Sequence, residues 1–169
     1  VTNLRATEVS HSFVTLAWDK VEGAAKYKIF KNGFEVADTA ALSYKISNLV
    51  GYSDYTFTVQ AISADGDMSS EPVECKVKTK LTPVDPSKIT VVKRDETSVT
   101  LSWSKVNSNT EKYRIYIDGK LLSCTNVGDN YTVSLPGKDA VELHIVTYIG
   151  SEDSEQVSYT VQAYQPKAA

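Results

Sequence analysis

Two cysteines in 169 residues are too few for a disulfide framework. Cys75 falls in the first half of the chain and Cys124 in the second, so neither half can be stapled internally. A bridge between them would need Cα atoms within about 7 Å. Cys75 takes an inward position of a strand pattern and reads as a small buried hydrophobe, whereas Cys124 is expected in a loop. Histidine is equally scarce. His11 stands in a turn and His144 on the outward side of a strand, and neither has a metal-ligand partner or a nucleophile at a motif spacing. No glycine loop has phosphate-binding spacing, and no HExxH occurs. No apolar run approaches the ~20 residues of a membrane-spanning helix. Positive charge is not in excess either: residues 1–82 carry nine Lys/Arg against ten Asp/Glu, and the remainder nine against eleven. A net charge of −3 so evenly spread offers no platform for nucleic acid or anionic lipid.

What is present is alternation. Residues 44–62, YKISNLVGYSDYTFTVQAI, contain a short strand, a turn near Gly51, and a run that places Tyr55, Phe57, Val59 and Ala61 on one face. Thr56, Thr58 and Gln60 take the other, the period of a strand with one buried side. The pattern returns 86 positions later, with Val141, Leu143, Ile145 and Thr147 inward. One architecture is therefore written twice. Each copy has about 80 residues, near the lower limit for a self-sufficient core.

Ahead of these runs, Val14, Leu16 and Trp18 alternate inward in the first copy, and Val99, Leu101 and Trp103 in the second. Third strands follow at residues 27–31 and 113–117, closed by Asn32-Gly33 and Asp118-Gly119, dipeptides that suit a tight hairpin. Strands are also expected at residues 4–7, 34–37, 44–49 and 73–77, and in the second copy at 89–91, 121–122, 131–135, 141–148 and 157–163. Residues 19–25 read as a loop, and no segment holds a helical period of useful length. The domains are expected at 1–80 and 87–165. A semi-rigid linker carrying Pro83 and Pro86 would span 81–86, and the start of a further linker 166–169. Because the chain begins at Val1, it is expected to be a segment of a longer protein.

Short alternating strands separated by turns describe an all-β sandwich. Trp18 and Trp103, the Tyr-x-Ile of each third strand, and Leu49 followed by Tyr55-x-Phe-x-Val-x-Ala resemble tandem fibronectin type III domains. Such domains occur in bacterial secreted enzymes, surface proteins and phage tail proteins. The resemblance implies an immunoglobulin-like β-sandwich in two tandem copies of seven strands, with Trp18, Tyr27, Tyr55, Phe57, Trp103, Tyr113 and Leu143 in the structural cores. It also implies that the Tyr55 hydroxyl reaches back to backbone at the corner before its strand. The second copy keeps Leu135-Pro136-Gly137 there but has Val141 in place of the tyrosine, so this anchor of ~1 kcal/mol is expected to be lost.

Candidate chemistry is sparse, and no catalytic residue, cofactor or metal site is assigned. Asp65, Gly66, Asp67 and Glu71 lack the ligand ladder of a calcium loop, and Asp65-Gly66-Asp67 stands where some family members carry Arg-Gly-Asp. Asn130-Tyr131-Thr132 is a glycosylation acceptor by pattern alone. Phe13, Phe30, Phe34, Tyr116 and Tyr148 face outward, and Phe30, Phe34 and Tyr116 are the candidates for touching a ligand. Three readings stay open. One is a non-catalytic spacer of a larger secreted or surface bacterial protein, such as a polysaccharide-degrading enzyme. The second is a structural or adhesion module of a phage tail, and the third a module that binds a glycan or protein. The expected partners are flanking domains and a polysaccharide or cell-wall glycan, with the segment a monomer outside the cell or on a virion.

Overall fold

Period-two alternation accounts for nearly every element of the structure, a computed structural model that describes residues 1–66 and 69–166. The chain divides into two units, Val1–Lys80 and a second beginning at Leu81. The first contains β1 (Arg5–Val9), β2 (Val14–Ala17), β3 (Ala24–Lys31), β4 (Phe34–Thr39), β5 (Ser43–Ile46), β6 (Asp54–Ser63) and β7 (Val73–Lys78). They form two antiparallel sheets ordered β1-β2-β5 and β4-β3-β6-β7. Val14 and Leu16 from one sheet meet Ile29, Phe57 and Val59 from the other, all without solvent exposure, and Trp18 and Tyr27 pack on the same cluster. Burying each such side chain stabilises the fold by about 1.5–3 kcal/mol. Asn32 and Gly33 both take positive φ, 50° and 85°, which lets two residues close the β3–β4 hairpin.

The second unit contains β8 (Thr90–Arg94), β9 (Ser98–Ser102), β10 (Lys112–Ile117), β11 (Lys120–Leu121), β12 (Cys124–Val127), β13 (Asn130–Ser134), β14 (Val141–Ile149), β15 (Glu152–Asp153) and β16 (Val157–Val161). One sheet runs β12-β13-β9-β8. In the other, β11, β10 and β14 are adjacent, with β15 and β16 both paired to β14. Val99, Leu101, Ile115, Leu143 and Ile145 make its core around Trp103.

Several elements differ from expectation, each for a local reason. Residues 19–25 are not all loop: β3 starts at Ala24, because Ala24 and Lys26 still pair with Ser63 and Ile62 through a bulge. The strand expected over 44–49 stops at Ile46, since Asn48 turns left-handed (φ 59°) and sends the Leu49 N–H to Ser12 O. Cys124 is not in a loop. It opens β12, an added edge strand that pairs with β13 from Cys124↔Val133 to Val127↔Asn130. The boundary between units lies at Lys80, and Val84, within the stretch expected as linker, is buried in the second core. Pro86 opens a short 3₁₀ turn, Pro86–Lys88, capped by the Asp85 carboxylate at 2.9 Å from Ser87 N.

Two backbone devices recur in both units. In the first, Ser70 donates its N–H to Ala61 O (2.9 Å) while its Oγ accepts from Ala61 N (3.0 Å). Ser154 does the same with Thr147, at 2.8 and 3.0 Å. The other device is the corner before the long strand. Tyr55 Oη accepts from Val50 N at 2.8 Å, as the resemblance implied. In the second unit the missing tyrosine is replaced from across the sheet: Arg94, at the end of β8, donates Nη2 to Gly137 O at 3.0 Å and Nη1 to Ser98 O at 3.2 Å. The corner therefore keeps an anchor, a charged one.

Candidate functional site

At one end of the second sandwich three rings meet. Trp103 stacks on Tyr131 with centroids 4.1 Å apart, and Tyr113 stands edge-on to both, at 5.1 and 5.0 Å. Each ring arrives by the same rule: Trp103 directly follows β9, Tyr113 lies on β10 and Tyr131 on β13, all turned into the sandwich. Edge-to-face and offset contacts of this kind add about 0.5–1.5 kcal/mol each beyond area burial.

Beside the rings lies Glu111, the one buried charged side chain among the described residues, at 2% exposure. A buried carboxylate survives only if its lone pairs are used. Here four donors converge on it. Val106 N reaches Oε1 at 2.8 Å, Asn107 N and Asn107 Nδ2 each reach Oε2 at 2.8 Å, and the Tyr113 hydroxyl donates to Oε1. Burial pushes the Glu111 carboxyl up, but the hydrogen bonds from Tyr113, Asn107 and the backbone outweigh it and hold the group below its ordinary value. Burial first, and then the hydrogen bond to Glu111, push the Tyr113 phenol far up, so it stays a donor. Glu111 is thus ionised and fully engaged, a brace rather than an acid or base. Asn107 also holds Thr82 at both N–H and C=O, at 2.7 and 2.9 Å, which fixes the start of the unit.

The first unit solves the same problem without charge. Val21 occupies the place of Val106, and its N–H goes directly to the Tyr27 hydroxyl at 2.9 Å. Ala25 stands two residues before Tyr27, where Glu111 stands two before Tyr113. That exchange of alanine for glutamate between repeats is the sequence signal that could have flagged Glu111.

A cavity of about 780 Å³ opens beside this cluster, lined by Glu111, Tyr113, Cys124, Asn126, Tyr131 and Tyr148 among others. Tyr131 is 2% exposed, and its hydroxyl has no partner in hydrogen-bond geometry among the described residues, although Asn126 and Tyr113 are its polar neighbours. Burial pushes both the Tyr131 phenol and the Cys124 thiol above their ordinary values. Tyr148 lies at the rim with the Arg114 guanidinium 4.0 Å over its ring, and Arg114 is held by both carboxylate oxygens of Asp153 at 2.7 and 2.8 Å.

Of the outward aromatics singled out in the sequence, only Tyr148 borders this cavity. Phe34 is 77% exposed on β4, while Phe30 is half-buried. Phe30 pairs with Glu35 and Phe34 with Lys31, so the two rings point to opposite faces of the hairpin. Tyr116, half-buried in the other unit, sits opposite His144, whose Nδ1 is 3.1 Å from Ser158 Oγ. Phe13 is covered by Lys45 at 3.4 Å. The cores hold Trp18, Tyr27, Phe57, Trp103 and Leu143 as buried residues, with Tyr55 and Tyr113 half-buried against them. Asp67, one of the residues weighed for calcium, and residues 167–169 of the tail lie outside the described residues.

Residues 1–76 match the sequence model of the fibronectin type III domain. The chain is 28% identical to chitinase A1 of Niallia circulans over 180 aligned positions, which take in 99% of this chain and 25% of that protein. It is 28% identical to exoglucanase B of Cellulomonas fimi over 116 positions, 64% of this chain and 11% of that one. The chain thus spans a quarter or less of the length of these relatives. Among solved structures, a segment of two fibronectin type III domains from chicken tenascin covers 95% of the chain, and 98% of that segment is matched, with a TM-score of 0.56 at 18% identity. The first domain thus matches the fibronectin type III model, and the second repeats a two-sheet sandwich, so that the chain has the fold of a tandem fibronectin type III segment.

Proposed function

We propose that this chain is a non-catalytic tandem segment of a larger, secreted bacterial protein that degrades a polysaccharide, and that it holds neighbouring domains apart. The observation that carries this reading is the alignment with chitinase A1, which runs through nearly all of this chain and only a quarter of that protein. The similarity to an exoglucanase supports the same polymer-degrading context. The chemistry of the chain agrees with a supporting role. The buried Glu111 carboxylate is committed to four donors, and each sandwich closes around its own core.

The test has two arms. The isolated chain, incubated with soluble and insoluble chitin, cellulose and starch, should release no reducing ends. In the parent protein, excising residues 1–169 should slow attack on the insoluble polymer severalfold and leave cleavage of short soluble oligosaccharides unchanged. Hydrolysis by the isolated chain would overturn the proposal, as would a parent reading frame with tail-protein domains and no catalytic domain.

A further inference from the structure

We propose that the cavity beside Tyr113 and Tyr131 in the second domain is a binding site for a neutral sugar ring, whose hydroxyls supply the partner that Tyr131 lacks. The proposal rests on the polysaccharide reading only for the choice of polymers to test. The site itself follows from geometry.

A volume of about 780 Å³ lies within the ~300–1,000 Å³ usual for small-molecule sites. The corresponding end of the first domain offers about 210 Å³, lined by Val21, Gly23, Ala61 and Ser70 among others and by no aromatic ring. The difference has a structural origin. Tyr131 and Tyr44 lie opposite Leu101 and Leu16, the leucines two residues before Trp103 and Trp18. Tyr131 is covered on its far side by β12, a strand the first domain lacks, and is buried, while Tyr44 is half-buried.

The wall of the cavity selects the ligand. A buried hydroxyl without a partner carries a desolvation cost of about 1–3 kcal/mol, so a native tyrosine left in that state calls for an explanation. Tyr131 Oη can donate one bond and accept another. The Tyr113 oxygen has given its proton to Glu111 and keeps lone pairs to accept with, and the exposed Asn126 amide can do both. Hydroxyl groups, which donate and accept from one atom, fit such a set. Anions do not: the Glu111 carboxylate sits in the wall, and the nearby Lys105 ammonium is turned to Asn109 O at 2.9 Å. At the rim, Arg114 covers one face of Tyr148 and is itself clamped by Asp153, which fixes the ring before any ligand arrives. Its other face suits the C–H side of a pyranose. Burial raises the pKa of both Tyr113 and Tyr131, which keeps these hydroxyls protonated in the site.

The experiment is a ¹H–¹⁵N NMR titration of the full chain with chitohexaose, cellohexaose and maltohexaose, each to 10 Kd of an interaction on the order of 1 mM. The expected result is saturable shifts at Tyr113, Asn126, Tyr131 and Tyr148 with at least one sugar and none at the corresponding end of the first domain. Tyr131→Phe should weaken that binding about fivefold to tenfold, the loss of one hydrogen bond. Its thermal midpoint should stay level or rise, because the variant removes an unpartnered hydroxyl. Asn126→Ala should weaken binding while leaving the midpoint unchanged. No saturable shift with any of the three sugars, shifts confined to other surfaces, or wild-type affinity in Tyr131→Phe would each overturn the site. Those outcomes leave the spacer reading standing, since it is decided by the hydrolysis and excision assays.

Discussion

Glu111→Gln removes a charge and almost no volume, so it isolates what the carboxylate does for the second domain. Whichever way the glutamine amide is turned, one oxygen becomes an NH₂ that meets N–H donors. If it replaces Oε2, it faces two donors from Asn107; if it replaces Oε1, the Tyr113 hydroxyl can rotate to accept, but Val106 N–H is orphaned. The second arrangement is the cheaper. It costs about 1–3 kcal/mol for the orphaned N–H, and the two bonds from Asn107 weaken because their acceptor is no longer charged. Relief from burying a charge offsets part of this, which leaves an expected loss of about 2–3 kcal/mol. A domain of this size has roughly 4–13 kcal/mol in total, so the change is large. Urea unfolding followed by fluorescence reads it directly, because Trp18 reports on one core and Trp103 on the other. The second-domain transition should fall while the first stays fixed as an internal standard. The pH dependence follows from the same group. Its folded carboxyl lies below 4.5, so its contribution is complete above that value and fades as pH falls through the folded pKa. Glu111→Gln should abolish that part of the acid sensitivity. A shift under 0.5 kcal/mol, or an equal shift in both transitions, would refute the reasoning.

Arg94→Met should destabilise the second domain by about 1.5–3 kcal/mol, the range for charge-assisted bonds to backbone; Tyr55→Phe should cost the first only about 1 kcal/mol, because Val50 is exposed and its N–H can turn to water. Chemical denaturation of both variants checks the order, and a milder effect for Arg94→Met would mean the guanidinium is not the corner's anchor. Thr147→Val should raise the second-domain midpoint in calorimetry, since Thr147 Oγ1 is buried without a partner among the described residues and the first domain has Ala61 at that place; a lowered midpoint would show that the hydroxyl is satisfied. Trp18→Ala and Trp103→Ala should each cost about 3–5 kcal/mol in their own domain and nothing in the other, and a silent substitution would place the indole outside the core.

How much of this was legible in advance depended on whether the signal was periodic. Leu16, Trp18, Phe57 and Val59 are buried because alternation in a strand leaves them no other side, and the sandwich follows from them. Val141 was readable as a missing tyrosine, but its replacement was not. Arg94 acts from 43 positions before Gly137, and nothing local marks it. β12 was missed because Thr125 and Val127 alternate for only four residues, although Gly128-Asp129 after them is a two-residue hairpin signal. Glu111 reads as one more surface acid in a polar loop. Its burial comes from the loop folding Val106 and Asn107 back over it, a tertiary event with no period. The cavity shares that origin: Tyr131, Asn126 and Tyr148 come from three strands, and only the folded sandwich gathers them.

The serine that fastens the chain just after β15 to the long strand β14 has a consequence for what can change around it. Ser154 ties Thr147 through both backbone and side chain and passes a further bond from Oγ to Glu155 O at 2.8 Å, so the hairpin is fastened at its base, below the tip at Gly150. Residues inserted between Gly150 and Ser151 would lengthen a hairpin whose base is already locked, the kind of exposed tip where insertions are tolerated. Gly150 and Tyr148 both border the cavity. The module therefore separates the part that must not vary from the part that can, and new rims can be drafted onto an unchanged frame.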